Sequence, residues 1–290
     1  MDKAKVPADY EELIRLIHER YEDMSRSYQT IALYLTQNPN DVAVLSVNAI
    51  AERCGLHASS FVRFAQSLGY DGFKDLQGLF QKRLSTAAPG FEARIKALEG
   101  ELGSRADRSE RAFLRDLVVR DIASLQDLMA DIPARNLVKA VSLLEKADVV
   151  YLIGQLRSAP VVELLRYILT MLEKRCVLLD PGGGLATHMA RAIRKADLLF
   201  AVSFRFYATE VVNVVEETAR RGVPVVAISD STLSPLAKAA NVLFAVPERE
   251  YTFSRSLAAP MCLAQALTVA LAARLQKNAV NPRIPTVTEP

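Results

Sequence analysis

The sequence predicts a two-part chain. An all-α helix-turn-helix bundle comes first, and a doubly wound α/β domain with a five-stranded parallel sheet follows. Three observations carry this reading. Residues 198–202 form an apolar run without alternation, as expected of a parallel strand buried on both faces. Helical spacing comes next, with Val211, Val212, Val214 and Val215 interleaved with Glu210, Asn213, Glu216 and Glu217. A second apolar run, VPVVAIS, then completes a βαβ unit, which builds right-handed crossovers in a parallel sheet. Far upstream, Ala51, Gly55, Leu56 and Val62 sit at the spacing of two helices packed steeply across a glycine turn.

Composition bounds the possibilities. The chain has 290 residues, half of them hydrophobic and few aromatic, enough for one large or two ordinary domains. Its net charge of +3 does not by itself indicate a polyanionic partner. Residues 1–83 carry ten Lys/Arg against eleven Asp/Glu, whereas 53–83 carry five against two, so any nucleic-acid face is local. Cys54, Cys176 and Cys262 are far apart, odd in number and without metal-ligand spacing, which suits a reducing compartment. No signal peptide is evident and no apolar span approaches membrane length, so a cytoplasmic protein without membrane contact is expected. No metal or cofactor is expected.

The elements follow in order. Residues 1–24 read as an amphipathic helix with Leu13, Ile14, Leu16 and Ile17 on one side, and 27–35 continue as helix that stops before Pro39. A short apolar stretch, 42–47, leads to Ser46, a natural N-cap for the first helix of the helix-turn-helix. The second helix would lie in the major groove, placing Ala58, Ser59 and Ser60 at the bases, with Arg63 one turn later. Short side chains permit close approach, and hydroxyls address base edges or phosphates. Phe61, Phe64, Leu68, Tyr70 and Phe73 read as core. Lys74, opening the next helix, is placed for a backbone phosphate.

Residues 84–134 read as a helical linker, interrupted at 86–90, with Ala123, Leu125, Leu128 and Met129 along one face. The second domain, 135–277, opens with a helix at 136–146. It then alternates: strand 148–154, helix 160–173, strand 176–180, a triple-glycine loop, helix 185–195, the βαβ unit, a short segment at 236–240, strand 242–246 and a long helix 254–277. The tail, 278–290, is expected to be mobile. In such open sheets ligands bind outside the carboxyl ends of strands, near helix N-termini. The loop 203–209 occupies that place.

The string at 63–76, RFAQSLGYDGFKDL, resembles the R-F-x-x-x-L-G-[FY]-x-G-[FY]-x-[ED]-[LF] stretch of RpiR-type bacterial transcription regulators, a likeness that covers roughly residues 7–83. Where that family has Ser or Thr at the start of the recognition helix, this chain has His57. Residues 135–277 resemble the SIS domain, the phosphosugar-binding module that follows the helix-turn-helix in the same regulators. Its loops, G-x-G-x-S and S-x-S-G-x-[TS]-x-E, stand here as Gly154-Gln155-Leu156-Arg157-Ser158 and Ser203-Phe204-Arg205-Phe206-Tyr207-Ala208-Thr209-Glu210. Gly154, Ser158, Ser203 and Glu210 match. Leu156 replaces the second glycine, Arg205 the second serine, Phe206 the next glycine, and Ala208 the [TS] position.

The resemblance implies a regulator of carbohydrate metabolism that binds double-stranded operator DNA as a homodimer or homotetramer and senses a small sugar-derived anion. DNA would meet Ser46, His57, Ala58, Ser59, Ser60, Arg63 and Lys74. The effector would meet Gly154, Arg157, Ser158, Gly183, Ser203, Arg205, Tyr207 and Thr209, with Arg205 replacing lost hydroxyls by a bidentate guanidinium. The rival for Arg205 is an ion pair with a carboxylate in a dimer interface. SIS folds also host sugar-phosphate isomerases, but a base placed for proton transfer is not evident. His188 reads as a rim residue and Glu210 as an acid favoured at a helix start. A regulator whose ligand site serves only oligomerisation is the third reading.

Overall fold

The computed structural model describes residues 6–85, 99–100, 109–179, 184–205, 207–246 and 255–280. They divide into two compact units at about residue 106. Gly183, the interruption at 86–90 and the tail beyond Val280 lie outside the described residues.

The N-terminal unit is all α. Helix α1 (Tyr10–Arg20) is capped by Asp9, whose carboxylate accepts from Glu12 N–H at 2.9 Å. Ser25 caps α2 (Arg26–Gln37). The apolar stretch at 42–47 is not extended chain: Pro39 opens a short helix, α3 (Pro39–Val44), which buries Val42 and Ala43. Proline stops a helix that precedes it, yet its fixed φ and missing N–H suit the first turn of the next. The Ser46 hydroxyl caps α4 (Val47–Cys54) by accepting from Ala49 N–H at 3.3 Å.

Gly55 then takes a left-handed φ of 64°, and Leu56 N–H reaches back to the Ala51 carbonyl at 2.9 Å. That closes α4 and turns the chain into α5 (Ala58–Ser67), with α6 (Phe73–Ser85) following. Phe61, Phe64, Leu68, Tyr70 and Phe73 are all buried, as the pattern required. Edge-to-face ring pairs Tyr28–Phe64 and Phe61–Phe73 lock α5 to α2 and α6. Tyr70 donates its hydroxyl to the Pro7 carbonyl at 2.8 Å, and burial pushes its pKa up.

In the second unit, α7 (Glu110–Asp131) and α8 (Ala134–Lys146) lead into a sheet. Leu125 and Leu128 of α7 pack against its core, but Met129, expected beside them, is 82% exposed. The next elements are β1 (Val150–Gly154), α9 (Ala159–Met171), β2 (Cys176–Leu178), α10 (Ala186–Ala190) and β3 (Leu198–Val202). They are followed by α11 (Thr209–Arg220), β4 (Val225–Ser229), β5 (Val242–Ala245) and α12 (Ala258–Val280). Helix α10 is shorter than the 185–195 expected, and 236–240 is a pair of turns.

The sheet is parallel throughout, in the order β2-β1-β3-β4-β5. Alternate side chains of one strand enter different layers. Leu198, Phe200 and Val202 join Val226 and Ile228 beneath α8, α9 and α12, while Leu199 and Ala201 join Val225 and Ala227 beneath α10 and α11. Such double coverage is why these strands are apolar at every position. The absence of any membrane-length apolar span needs correction. Ala258–Lys277 reaches a mean hydropathy of 1.5 over a stretch long enough to cross a bilayer. In the fold it packs on this core through Ala259, Leu263, Ala264, Leu267 and Leu271, all buried.

Candidate functional site

Helix α5 presents a polar face opposite its aromatic one. Ser59 and Arg63, four residues apart and therefore stacked on one side, are exposed, and Ser60 is half-buried. Ala58 is half-buried against the core, and His57 stands at the N-cap exposed, its side chain making no cap bond. Ser46 is exposed and its oxygen serves the α4 cap. Lys74 is exposed at the start of α6. Arg53, also in the basic stretch, pairs with Asp41 and bonds the Tyr34 hydroxyl, so it braces α4 against α3 and α2.

The second site follows from the topology. The chain leaves β1 toward β2 on one side and continues from β3 to β5 on the other, so the strand order reverses between β1 and β3. A crevice opens at such a switch point, outside the carboxyl ends of the two strands. The two loops expected to bind an effector flank it.

The β1 loop is built on tight contacts. A Cβ on Gly154 would fall 2.9 Å from Val162 Cγ1 and 3.2 Å from the carbonyl oxygens of Ser158 and Val202. Ser158 is buried behind it. Leu156 sits at φ 55°, a conformation that favours glycine, with its side chain 77% exposed. Arg157 lies over the Phe204 ring, 4.6 Å from its centroid, and donates to the Ser256 carbonyl at 3.3 Å. This guanidinium thus joins the β1 loop, the β3 loop and the approach to α12.

The β3 loop is organised by a carboxylate. Asp230, directly after β4 and 6% exposed, accepts the Arg205 backbone N–H at 3.1 Å and the Tyr207 hydroxyl at 2.9 Å. The Arg205 guanidinium Nε stands 3.9 Å from the same carboxylate. Ser203 is buried, and its carbonyl accepts the Ser229 hydroxyl at 2.7 Å. Thr209 is exposed at the first position of α11, where backbone N–H groups lack intrahelical partners. Glu210 accepts Gln155 Nε2 at 2.6 Å and the Thr187 hydroxyl at 3.2 Å, pinning α11 to the β1 loop and to α10.

Two family profiles match. "Helix-turn-helix domain, rpiR family" covers residues 11–87, and "SIS domain" covers residues 143–270. The chain is an RpiR-type helix-turn-helix protein with a SIS domain. An uncharacterized HTH-type transcriptional regulator of Caldanaerobacter subterraneus subsp. tengcongensis is 24% identical over 246 residues, 83% of this chain and 82% of the relative. One from Thermotoga maritima is 23% identical over 240 residues, 82% of each. Among solved structures, the sugar isomerase domain of an RpiR transcription factor from Sphaerobacter thermophilus is 28% identical, with a TM-score of 0.54 over 57% of this chain and 92% of that one. The Vibrio vulnificus NanR protein complexed with ManNAc-6P has a TM-score of 0.54 at 20% identity, over 94% of this chain and 99% of that one.

Within the RpiR-type frame, the structure places Gly154, Arg157, Ser158, Ser203, Arg205, Tyr207 and Thr209 at the carboxyl ends of the adjacent strands β1 and β3 and in the segments that follow them. Arg205 does face a carboxylate, but that carboxylate is Asp230 of the same chain. Asp230 is the residue at these loops that sequence reasoning passed over. The signal for Asp230 was present: an acid at the carboxyl end of a fully apolar strand lies where such sheets bind ligands.

Proposed function

We propose that this RpiR-type protein is a cytoplasmic regulator that binds operator DNA through α5, with Ser59, Ser60 and Arg63 toward base edges and Ser46, His57 and Lys74 toward phosphates. Its SIS domain binds a small sugar-derived anion, a sugar phosphate or a sugar acid, and thereby controls operator binding. On this reading 1–83 reads DNA, 84–134 connects, and 135–277 senses. The observation that carries it is that both loops leave the carboxyl ends of the neighbouring strands β1 and β3, where the strand order reverses, on a chain that also carries a helix-turn-helix. The ManNAc-6P held by the similarly folded NanR protein supports a sugar derivative as ligand class.

The SIS domain is proposed to sense rather than catalyse. Both oxygens of Glu210 accept hydrogen bonds from Gln155 and Thr187, which suits bracing better than proton abstraction. His188, the single histidine of the domain, is exposed on α10. One helix-turn-helix reads a half-site, so a homodimer or homotetramer is part of the proposal. Leu114, Leu117, Val118, Val119 and Ile122 of α7, all exposed in the single chain, support it.

The test is fluorescence anisotropy of labelled DNA from upstream of the gene and its neighbours, at two salt concentrations, followed by sugar phosphates and sugar acids. Competitor-resistant binding shifted by one of these compounds is expected. Weak binding abolished by modest salt on every fragment would overturn the regulator reading and direct attention to isomerase assays.

A further inference from the structure

A helix on the outside of a domain turns charged side chains to water. Helix α12 does not. Between Ala258 and Ala273 it carries no Asp, Glu, Lys or Arg. One side of this stretch packs on the SIS core through Leu263, Leu267 and Leu271. The other side presents Cys262, Ala266, Val269, Ala270 and Ala273, spaced as one helical face and all exposed. Well under half of this membrane-grade segment is buried in the single chain. Apart from Val269, which is 66% exposed, the face is low, made of alanine and cysteine.

Helix α7 carries the counterpart. Leu114, Val118 and Ile122 recur every four residues along it, with Met129 farther on, and all four are exposed. The two stretches, 114–129 and 258–273, each run about 23 Å along the helix axis. One face is bulky, the other is low, and neither stripe holds a charge. Within one chain both faces stay open, although α7 and α12 pack against each other.

We propose that the outer face of α12 is the docking surface for α7 of a second copy of this chain. Two α7 and two α12 helices then close a four-helix interface. The exchange is reciprocal, α7 of each copy lying on α12 of the other, as the self-complementary surface of a two-fold dimer requires. Large side chains set against small ones interdigitate, and the centre of an interface is depleted of charge. This rests on the reading of the chain as a homo-oligomer, and adds the surface that receives α7.

The experiment uses two single variants of the full-length protein, Val118→Lys and Ala270→Glu. Sedimentation velocity reports association, and far-UV spectra report folding. Each variant alone sets an unpaired charge against apolar surface in both contacts, so self-association is expected to weaken by about 100-fold or more. Mixed one to one, a hetero-pair sets lysine against the glutamate face in one contact and leaves the other contact as in the wild type. Association is therefore expected to return in the mixture. An Ala270→Glu protein that folds and associates like the wild type overturns the proposal, and so does a mixture no more associated than its components.

Should Ala270→Glu fail to fold, cross-linking decides the matter. Isotopically heavy protein with a photoreactive phenylalanine at position 118 is allowed to exchange subunits with light wild type. Cross-links to 258–277 of the light chain are expected. An associated wild type whose cross-links fall elsewhere defeats this proposal alone, whereas a wild type that sediments as a monomer defeats the homo-oligomer beneath it.

Discussion

At the scale of single residues, two positions of the β1 loop carry opposite constraints. Gly154 is hemmed in by Val162 and by two carbonyl oxygens, so a methyl group there forces backbone or α9 to shift. Gly154→Ala is expected to cost about 1–3 kcal/mol, as other overpacked sites do. Leu156 is the reverse case: a branched-chain residue held at left-handed φ with its side chain largely in water. Replacing it with glycine removes a conformational penalty of about 1–2 kcal/mol and adds about 0.5–1 kcal/mol of unfolded-chain freedom. Leu156→Gly should leave the protein as stable or slightly more so. Urea midpoints of the two variants, measured side by side, check both expectations. A loss of stability in Leu156→Gly equal to that in Gly154→Ala would show that Leu156 has packing the exposed side chain does not reveal.

At the scale of elements, the helix-turn-helix separates residues that hold the geometry from residues proposed to meet DNA. Ser46 and Gly55 fix where α4 begins and ends, through a side-chain cap and a left-handed turn. Arg63, exposed on the outer face of α5, holds nothing up in the fold. Arg63→Ala is therefore expected to leave the thermal melt in place and lower operator affinity by about tenfold or more, the loss of about 1–3 kcal/mol typical of one base contact. Ser46→Ala should do the converse first, costing about 1 kcal/mol of stability through the lost cap. Anisotropy titrations and melts of both variants check the division. The same elements show what sequence could reveal. The glycine turn, the aromatic core of α5 and α6, and the unalternating strands β1, β3 and β4 were legible because each depends on local spacing and burial. Helix α3 was not, because Pro39 reads equally as a stop and as a first-turn residue. The position of Asp230 at the end of β4 could be read, but its pairing with Arg205 and Tyr207 could not, because they lie one strand away and the pairing follows from sheet order, which local spacing does not encode.

At the scale of the whole molecule, coupling between a sensing crevice and DNA requires an assembly whose arrangement the effector can bias. The single chain leaves Leu114 64%, Val118 48%, Val119 61% and Ile122 51% exposed along the first half of α7, whereas Leu125 and Leu128 farther along are packed on the SIS core. Ala112 in the first turn is buried, yet these larger apolar side chains are left exposed, and contiguous apolar surface of this kind marks an interaction site. If the chain reads an operator of two half-sites, as proposed, a second copy is the occupant expected there. The double variant Val118→Asp with Ile122→Asp is therefore expected to sediment as a monomer with an unchanged far-UV spectrum. Linking two half-site readers raises avidity by about 10²–10⁴-fold through effective concentration alone. The monomeric variant should lose affinity for a full operator by a factor in that range while binding an isolated half-site as the wild type does. If it remains dimeric and keeps its operator affinity, the copies meet elsewhere and this face of α7 serves another contact. If it becomes monomeric yet binds the full operator undiminished, the two half-sites are read independently, and an effector acting on their spacing has nothing to control.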